Sequence, residues 1–172
     1  FIVWFNGGPG ASSLQGLFTE MGVFHLNDYS LIYNVTGIPQ LWYNQYTWST
    51  FANMLYIESP AGVGFSYCDG NEGPHLSCPI FNDSSTAKDN YQVLKEFFKG
   101  FPEYLNNSQF YLSGESYAGV YVPTLVMEIE NNNNNGLPPL KGFAIGNGCM
   151  GYVVQYISTI VLISGIFNLI CN

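Results

Sequence analysis

A strand, a tight turn and a helix follow one another between residues 109 and 130, and this unit constrains the fold more than any other part of the sequence. Gln109–Ser113 is predicted to form a short strand, and Tyr117–Glu130 a helix that tolerates Pro123 near its start. The turn between them, Gly114–Ala118, holds a serine among small residues. Small residues are required because a sharp strand-to-helix turn brings the two backbones close together.

Ser116 has two interpretations when this turn is considered alone. It is either a nucleophile whose hydroxyl is exposed by a strained elbow, or an ordinary N-cap whose hydroxyl accepts a hydrogen bond from a helix N–H. The run Asn6–Gly10 favours the nucleophile. A glycine-rich turn after a strand can give a backbone N–H to an oxyanion hole, because no Cβ obstructs the approach to the developing alkoxide.

Strands and helices alternate along the chain. Phe1–Phe5 is a continuous apolar run and Ala52–Ile57 repeats that design, which is typical of strands buried on both faces. A helix is predicted between Ser84 and Gly100, ended by Pro102, from four apolar residues at helical spacing: Tyr91, Leu94, Phe98 and Phe101. The asparagine- and proline-rich run 131–139 should be an exposed loop before the strand Leu140–Ile145. This alternation predicts an α/β fold with a mostly parallel central sheet and flanking helices.

The charge is sparse and acidic, because twelve Asp and Glu residues stand against four lysines and no arginine, for a formal net charge of -8. The lysines form no stripe that could follow a phosphate backbone or an anionic lipid surface. Nucleic acid and membrane surfaces are therefore excluded as partners. The 172 residues suit one packed domain. Since the chain opens inside an apolar run without Met or a leader, it is interpreted as a fragment.

The cysteines and asparagines indicate a compartment. Cys68 and Cys78 close a short loop without the neighbouring His and Cys residues of a zinc site, so a local disulfide is favoured over two reduced thiols, and no metal is expected. N-glycosylation sequons begin at three residues: Asn34, Asn82 and Asn106. Together these features predict a protein of the secretory pathway or of the cell exterior.

The tail is uncharged after Lys141, and Tyr152–Ile170 is nearly long enough to cross a bilayer. Five polar side chains dilute its apolar character, which disfavours a membrane helix. A buried core segment is the second interpretation, and a truncated or aberrant chain end is the favoured one.

Four blocks of sequence carry a family resemblance: Trp4–Ser13, Glu58–Tyr67, Gly114–Pro123 and Gly142–Gly148. In order and spacing they resemble the serine carboxypeptidases of the α/β-hydrolase fold, and the cathepsin A branch most. The resemblance covers about residues 1–148 and is weak beyond them. It implies a partial, truncated α/β-hydrolase domain that removes residues one at a time from peptide C-termini through an acyl-enzyme, without metal or cofactor.

The resemblance also implies roles for individual residues. Ser116 would be the acylated nucleophile, and the oxyanion would be held by two backbone N–H groups, those of Gly8 and Tyr117. The terminal carboxylate of the substrate would be received by Asn6, Gly7 and Glu115. Two residues would support this group by hydrogen bonds, Trp4 and Glu20. Two more would lie near the pocket for the leaving residue, Gln15 and Thr19.

A carboxyl group beside a substrate carboxylate helps binding only when it is protonated, because two like charges at short range repel. Glu20 and Glu115 are therefore expected to share one proton, with tighter binding of peptide C-termini in acid than near neutrality. This expectation fits a lysosome-like compartment.

The sequence departs from the family pattern in two ways. Acyl transfer needs an Asp and then a His after the nucleophile in this fold, whereas His25 and His75 both precede Ser116 and are interpreted as surface residues. Ala11 stands where many relatives carry a bridged cysteine. The alternatives are an inactive truncated homologue, a module that only binds peptide ends, or a carboxypeptidase-like acyltransferase or hydroxynitrile lyase.

Overall fold

The computed structural model describes residues 1–32, 37–68, 78, 80–107, 109–149 and 161–164, with the backbone alone at 106, 107 and 161–164. Some predictions lie outside these residues: the sequon at Asn34, the side chain of Asn106, His75, and the tail from Tyr152 to Ile170 apart from its residues 161–164.

The strands, in chain order, are β1 (Ile2–Phe5), β2 (Phe24–His25), β3 (Trp42–Tyr43), β4 (Met54–Tyr56), β5 (Phe110–Glu115), β6 (Leu140–Gly146) and β7 (Val161–Ser164). The α-helices are α1 (Leu14–Thr19), α2 (Asp83–Gly100), α3 (Glu103–Asn107) and α4 (Ala118–Asn131). A single 3₁₀ turn in the described part of the chain spans Trp48–Thr50.

The central sheet has five strands in the order β4-β1-β5-β6-β7. The pairs β4/β1, β1/β5 and β5/β6 are parallel, and β7 runs antiparallel to β6. The predicted α/β class with a mostly parallel sheet is therefore confirmed. Strand β1 pairs with β5 so that Phe5 lies opposite Gly114. The residues that follow these two strands consequently meet at one edge of the sheet.

Helices α2 and α4 build the hydrophobic core with β1 and β5. The residues of this core that have no exposed surface include Val3, Leu94, Phe98, Phe110, Leu112, Val122, Leu125 and Ile129. Phe98 and Phe110 meet edge to face at 5.5 Å. Each such side chain contributes about 2 kcal/mol through removal of its apolar surface from water. The apolar run that predicted β1 and the apolar spacing that predicted α2 therefore supply side chains to this core.

Helix α2 begins at Asp83, directly after its N-cap residue Asn82. Asn82 accepts a hydrogen bond from the Ser85 N–H at 2.9 Å, and the Ser85 hydroxyl accepts one from the Asn82 N–H at 3.0 Å, which forms a reciprocal capping box. Tyr91, Leu94 and Phe98 of the predicted apolar face are buried, but Phe101 follows the helix and is 49% exposed. The prediction that Phe101 extends this face is wrong, because the helix ends before it.

The asparagine-rich loop is less exposed than its composition predicts. Asn133 and Asn134 adopt left-handed backbone angles of φ +52 and +55, which asparagine tolerates. The chain then turns back, and the Tyr91 hydroxyl donates a 2.8 Å hydrogen bond to the Asn135 carbonyl. Leu137 is 6% exposed, and Pro138 is also buried. The expected exposed loop over 131–139 is therefore wrong at its end, where the approach to β6 covers these apolar side chains.

The structure contains elements that the sequence did not predict: α1, α3 and the two-stranded antiparallel sheet β2/β3. In the tail, Val161–Ser164 forms a strand paired with β6. Within the described residues, we find no helix that combines the length and apolar character needed to span a membrane.

Candidate active site

Ser116 lies in the turn between β5 and α4, and its backbone is in the left-handed region with φ +55. For a residue other than glycine this conformation costs about 1–2 kcal/mol. Three backbone hydrogen bonds hold it. The Ser116 N–H donates to the Gly146 carbonyl at 3.0 Å, and the Ser116 carbonyl accepts from the Gly119 N–H at 2.9 Å and from the Cys149 N–H at 2.8 Å. The side chain is half-buried. Helix α4 has Tyr117 at its N-cap and no side-chain cap, so the N-cap interpretation of Ser116 is not supported.

The glycines around Ser116 lack the space for a side chain. A Cβ on Gly114 would lie 2.5 Å from both the Ala118 Cβ and the Phe5 carbonyl oxygen. One on Gly119 would lie 2.6 Å from the Cys149 carbonyl oxygen. Strand β5, helix α4 and the neighbouring strand β1 therefore approach one another closely, as the small residues in the sequence predicted.

The glycine-rich turn after β1 contacts this elbow directly. A Cβ on Gly7 would lie 2.4 Å from the Tyr117 nitrogen and 2.8 Å from both the Glu115 carbonyl oxygen and the Ser116 Cβ. This contact follows from the parallel pairing of β1 with β5, because their carboxyl ends lie side by side. Residues 7 and 116, far apart in sequence, are thus in van der Waals contact.

Two backbone N–H groups beside this contact are free to bind a ligand. Within the described part of the chain, neither the Gly8 N–H nor the Tyr117 N–H donates a hydrogen bond. Gly8 has φ +107, a conformation that favours glycine. Free N–H groups on two segments that touch beside a serine have the chemistry of an oxyanion hole.

Asn6 connects the glycine-rich turn to the elbow and is 2% exposed. Its Oδ1 accepts hydrogen bonds from Trp4 Nε1 at 2.8 Å and from the Gly16 N–H at 3.1 Å. Its Nδ2 donates to Glu115 Oε1 at 3.0 Å, and its backbone N–H donates to Ser13 Oγ at 3.1 Å. The structure therefore brings together Trp4, Asn6 and Glu115 of the predicted site in one hydrogen-bonded group.

Glu20 follows α1 and faces the same group. Partial burial of its carboxyl raises its pKa above the ordinary value of 4.5, the negative charge of Glu115 raises this pKa further, and interaction with the Asn6 side chain partly offsets the shift. Burial also raises the pKa of the Tyr56 hydroxyl, and the charge of Glu20 adds to that shift. The charge of Glu115 is thus close enough to Glu20 to affect the ionisation of the Glu20 carboxyl.

Other predicted residues lie away from these contacts. Gln15 and Thr19 are exposed on α1, where the Thr19 hydroxyl donates to the Gln15 carbonyl at 2.7 Å, so their role at the leaving-residue pocket stays a prediction. His25 is partly buried in β2, opposite Trp42 of β3. Among the described residues no hydrogen bond joins His25 to Ser116. Asn82 caps helix α2 and is exposed.

The loop after β4 contains the predicted cysteine pair. Cys68 and Cys78 are joined by a disulfide, with their Cα atoms 5.5 Å apart. Among the described residues no group of three or more metal-ligating side chains occurs.

Sequence reasoning missed three contacts of the glycine-rich turn. The Ser12 hydroxyl donates to the Glu58 carboxylate, which also accepts from the Phe65 N–H at 2.6 Å. Ser13 accepts from Asn6, and Tyr121 of α4 accepts from Gly10. The two adjacent serines after the glycines were the available signal, since buried hydroxyls require partners. No local pattern points to Tyr121.

Replacing Asn6 with alanine is expected to lower the free energy of unfolding by about 3 kcal/mol, because the Trp4 and Gly16 donors would lose their shared acceptor inside the protein. Chemical denaturation followed by tryptophan fluorescence measures this loss. Asn53→Ala is the matched control, because Asn53 is exposed, and a change below about 0.5 kcal/mol is expected for it. Equal losses in the two variants would contradict a structural role for the Asn6 amide.

Three matches to known proteins identify the family to which this sequence is similar. Residues 1–166 match the family model described as serine carboxypeptidase. Serine carboxypeptidase ctsa-4.1 of Caenorhabditis elegans is 43% identical over 155 residues, which cover 90% of this chain and 30% of that protein. The lysosomal protective protein of Mus musculus is 47% identical over 152 residues, covering 88% of this chain and 28% of that protein.

A solved structure shows the same fold. Kex1Δp, a prohormone-processing carboxypeptidase from Saccharomyces cerevisiae, superposes with a TM-score of 0.72 at 34% identity, covering 86% of this chain and 30% of that one. The chain thus spans about 30% of the length of these relatives. The mostly parallel sheet β4-β1-β5-β6 with its flanking helices is that of an α/β-hydrolase fold. On these matches, the chain belongs to the serine carboxypeptidase family.

Proposed function

We propose that this chain carries the nucleophile, the oxyanion-binding amides and the carboxylate-binding group of a serine carboxypeptidase that releases residues from peptide C-termini. The observation that supports this most is the contact of Gly7 with both the Tyr117 nitrogen and the Ser116 Cβ. Gly7 precedes Gly8 in the same turn, so this contact supports an oxyanion hole formed beside Ser116 by the free N–H groups of Gly8 and Tyr117. Because the chain spans about 30% of its relatives' length, the activity is proposed for the protein that contains it.

In the proposed reaction, Ser116 Oγ attacks the carbonyl carbon of the last peptide bond as its proton passes to a base. The carbonyl oxygen becomes an oxyanion and accepts hydrogen bonds from the N–H groups of Gly8 and Tyr117. The C–N bond then breaks, the leaving amine takes the proton, and water hydrolyses the acyl-enzyme to regenerate Ser116. The residues of this chain supply attack and charge stabilisation, and no cofactor is needed.

The carboxylate-binding group would make the enzyme an exopeptidase. Asn6 Nδ2 and the Gly7 N–H would donate to the terminal carboxylate of the substrate, and Glu115 Oε1 accepts a hydrogen bond from Asn6 Nδ2 at 3.0 Å. A substrate carboxylate entering here would meet the negative charges of Glu20 and Glu115. One proton shared between them would turn a repelling group into a hydrogen-bond donor.

The proposal predicts tighter binding in acid. Since the pKa of Glu20 is raised, the proton is held at low pH and lost as the pH rises through that raised pKa. The KM for a peptide with a free C-terminus is therefore expected to rise about tenfold between about pH 5 and pH 7.5, while a C-terminally amidated peptide is cleaved poorly at both values. Steady-state kinetics on the protein produced from its native gene measures this.

The Glu20→Gln variant is expected to flatten this pH dependence of KM, because a neutral amide replaces the titrating group. Glu130→Gln is the matched control, since Glu130 is exposed at the far end of α4. Equal cleavage of free and amidated peptides would contradict the carboxypeptidase assignment.

A protein that binds peptide ends without turnover is the second candidate function. Within the described residues no hydrogen bond joins an imidazole to Ser116, and this observation favours binding alone. Labelling of Ser116 by a fluorophosphonate, located by mass spectrometry, separates the two candidates. We also propose a lysosomal, vacuolar or extracellular location, which the Cys68–Cys78 disulfide and the lysosomal protective protein among the relatives support.

A further inference from the structure

A buried tyrosine on helix α4 reaches across to the glycine-rich turn. Tyr121 is 3% exposed, and its hydroxyl oxygen accepts a 3.2 Å hydrogen bond from the Gly10 N–H. The two residues are separated by 111 positions in sequence. This bond therefore ties the turn after β1 to the helix that follows the elbow.

The turn has few other restraints between Gly7 and Gly10. Within it the Ala11 N–H donates to the Gly7 carbonyl at 3.1 Å. Gly8 and Gly10 have φ +107 and +87, and both lack side chains that could pack. The nearest atom to a Cβ built on Gly10 would be a methyl carbon of Val63 at 3.9 Å. Because glycine is conformationally permissive, a turn of this composition needs an external anchor to hold one geometry.

Helix α4 connects this anchor to the elbow. Tyr117, at its N-cap, carries one free N–H, and Tyr121 lies one helical turn later. The two rings meet nearly edge to face, 5.1 Å apart at 72°. Helix α4 thus fixes the Tyr117 N–H directly, and it fixes the Gly10 end of the turn through the Tyr121 hydroxyl. Gly8 lies between this end and Gly7, which contacts the elbow.

From this arrangement we infer that Tyr121 is a positioning residue of the oxyanion hole. By anchoring the turn, Tyr121 keeps the Gly8 N–H at a fixed distance from the Tyr117 N–H. The inference rests on the proposed function. Tyr121 touches neither substrate nor reacting atoms in this scheme. It acts through the turn, and its effect is confined to the charged intermediate, since the Gly8 N–H bonds most strongly to a developing oxyanion.

The test is Tyr121→Phe in the protein produced from its native gene, because this change removes one oxygen and keeps the ring. Loss of a whole oxyanion donor costs about 10²–10³-fold in kcat, and we expect a loosened donor to cost about tenfold. The KM should stay within about twofold. Affinity for a peptide aldehyde, which forms a tetrahedral adduct with serine, should fall by the same factor as kcat, while affinity for the released product is unchanged.

Tyr91→Phe is the matched control. Tyr91 is also a buried tyrosine, 2% exposed, whose hydroxyl bonds one backbone group, the Asn135 carbonyl at 2.8 Å. It lies on α2, outside the proposed active site. Its variant should keep kcat and aldehyde affinity unchanged. If kcat fell equally in Tyr121→Phe and Tyr91→Phe, Tyr121 would have only a general structural role, and the inference would be wrong.

An active Tyr121→Phe enzyme with unchanged kcat and aldehyde affinity would overturn the inference alone. Failure of the unsubstituted protein to release C-terminal residues would instead contradict the proposed function, and the inference with it. If the Tyr121→Phe variant does not fold, amide hydrogen exchange in the unsubstituted protein provides the test. The Gly10 N–H should exchange slowly, because it is bonded to the Tyr121 hydroxyl, and the free Gly8 N–H should exchange fast. Fast exchange at Gly10 would refute the anchoring of the turn by Tyr121.

Discussion

Replacing Ser116 with alanine is expected to lower kcat for the release of C-terminal residues by about 10⁶-fold, because the acyl-enzyme can no longer form. The strained backbone at φ +55 should tolerate alanine as it tolerates serine, since both carry one Cβ. Stability should therefore change little, and KM should stay near its original value. Release of the last residue from an N-blocked dipeptide, assayed with the protein from its native gene, measures the loss.

Ser49→Ala is the control for this substitution. Ser49 is exposed in the 3₁₀ turn Trp48–Thr50, so its variant should keep full activity. Fluorophosphonate should label the unsubstituted protein and Ser49→Ala, but not Ser116→Ala. Activity that survives in Ser116→Ala would place the nucleophile elsewhere and defeat the proposed mechanism.

Replacing Gly7 with alanine is expected to lower the free energy of unfolding by about 3 kcal/mol, because the added Cβ would overpack a rigid contact. It would lie 2.4 Å from the Tyr117 nitrogen and 2.8 Å from the Glu115 carbonyl oxygen, which are backbone atoms. They can move only if the elbow and β1 separate. Activity should fall at least about 100-fold, since small displacements of reacting groups cost that much.

Gly100→Ala tests whether any glycine-to-alanine change is harmful. Gly100 ends α2, and a Cβ built there meets no atom within 4 Å. Its variant should be neutral or more stable by about 0.5 kcal/mol, because alanine loses less backbone entropy on folding. Thermal and chemical denaturation of both variants measures the contrast. A Gly7→Ala protein as stable as Gly100→Ala would show that the turn and the elbow are not in rigid contact.

Local sequence patterns predicted the parts of the fold that local physics determines. The apolar run at β1 predicts a buried strand, and the spacing of Tyr91, Leu94 and Phe98 predicts one helix face, because each pattern expresses the burial of its element. The small residues Gly114 and Ala118 likewise predict a sharp turn, since their neighbours leave no room for larger side chains.

Contacts between distant segments could not be predicted in the same way. The acceptor of the Gly10 N–H is a tyrosine 111 residues away. Strands of two residues, such as β2 and β3, are too short to show any period. The burial of Leu137 depends on how the chain packs before β6, and composition alone does not report packing. The blocks that resemble a family supplied the residues of the site, but not the hydrogen bonds that hold them.

The hydrogen bond between Asn6 and Glu115 closes 109 residues of chain. Contacts of such long range raise the contact order and slow folding, so the site should form late, once β1 lies between β4 and β5. Any compound bound by the assembled site binds the folded state alone. At about a hundred times its Kd it would stabilise that state by about 2.7 kcal/mol. A rise in melting temperature can therefore identify ligands of this site even where no turnover is measured.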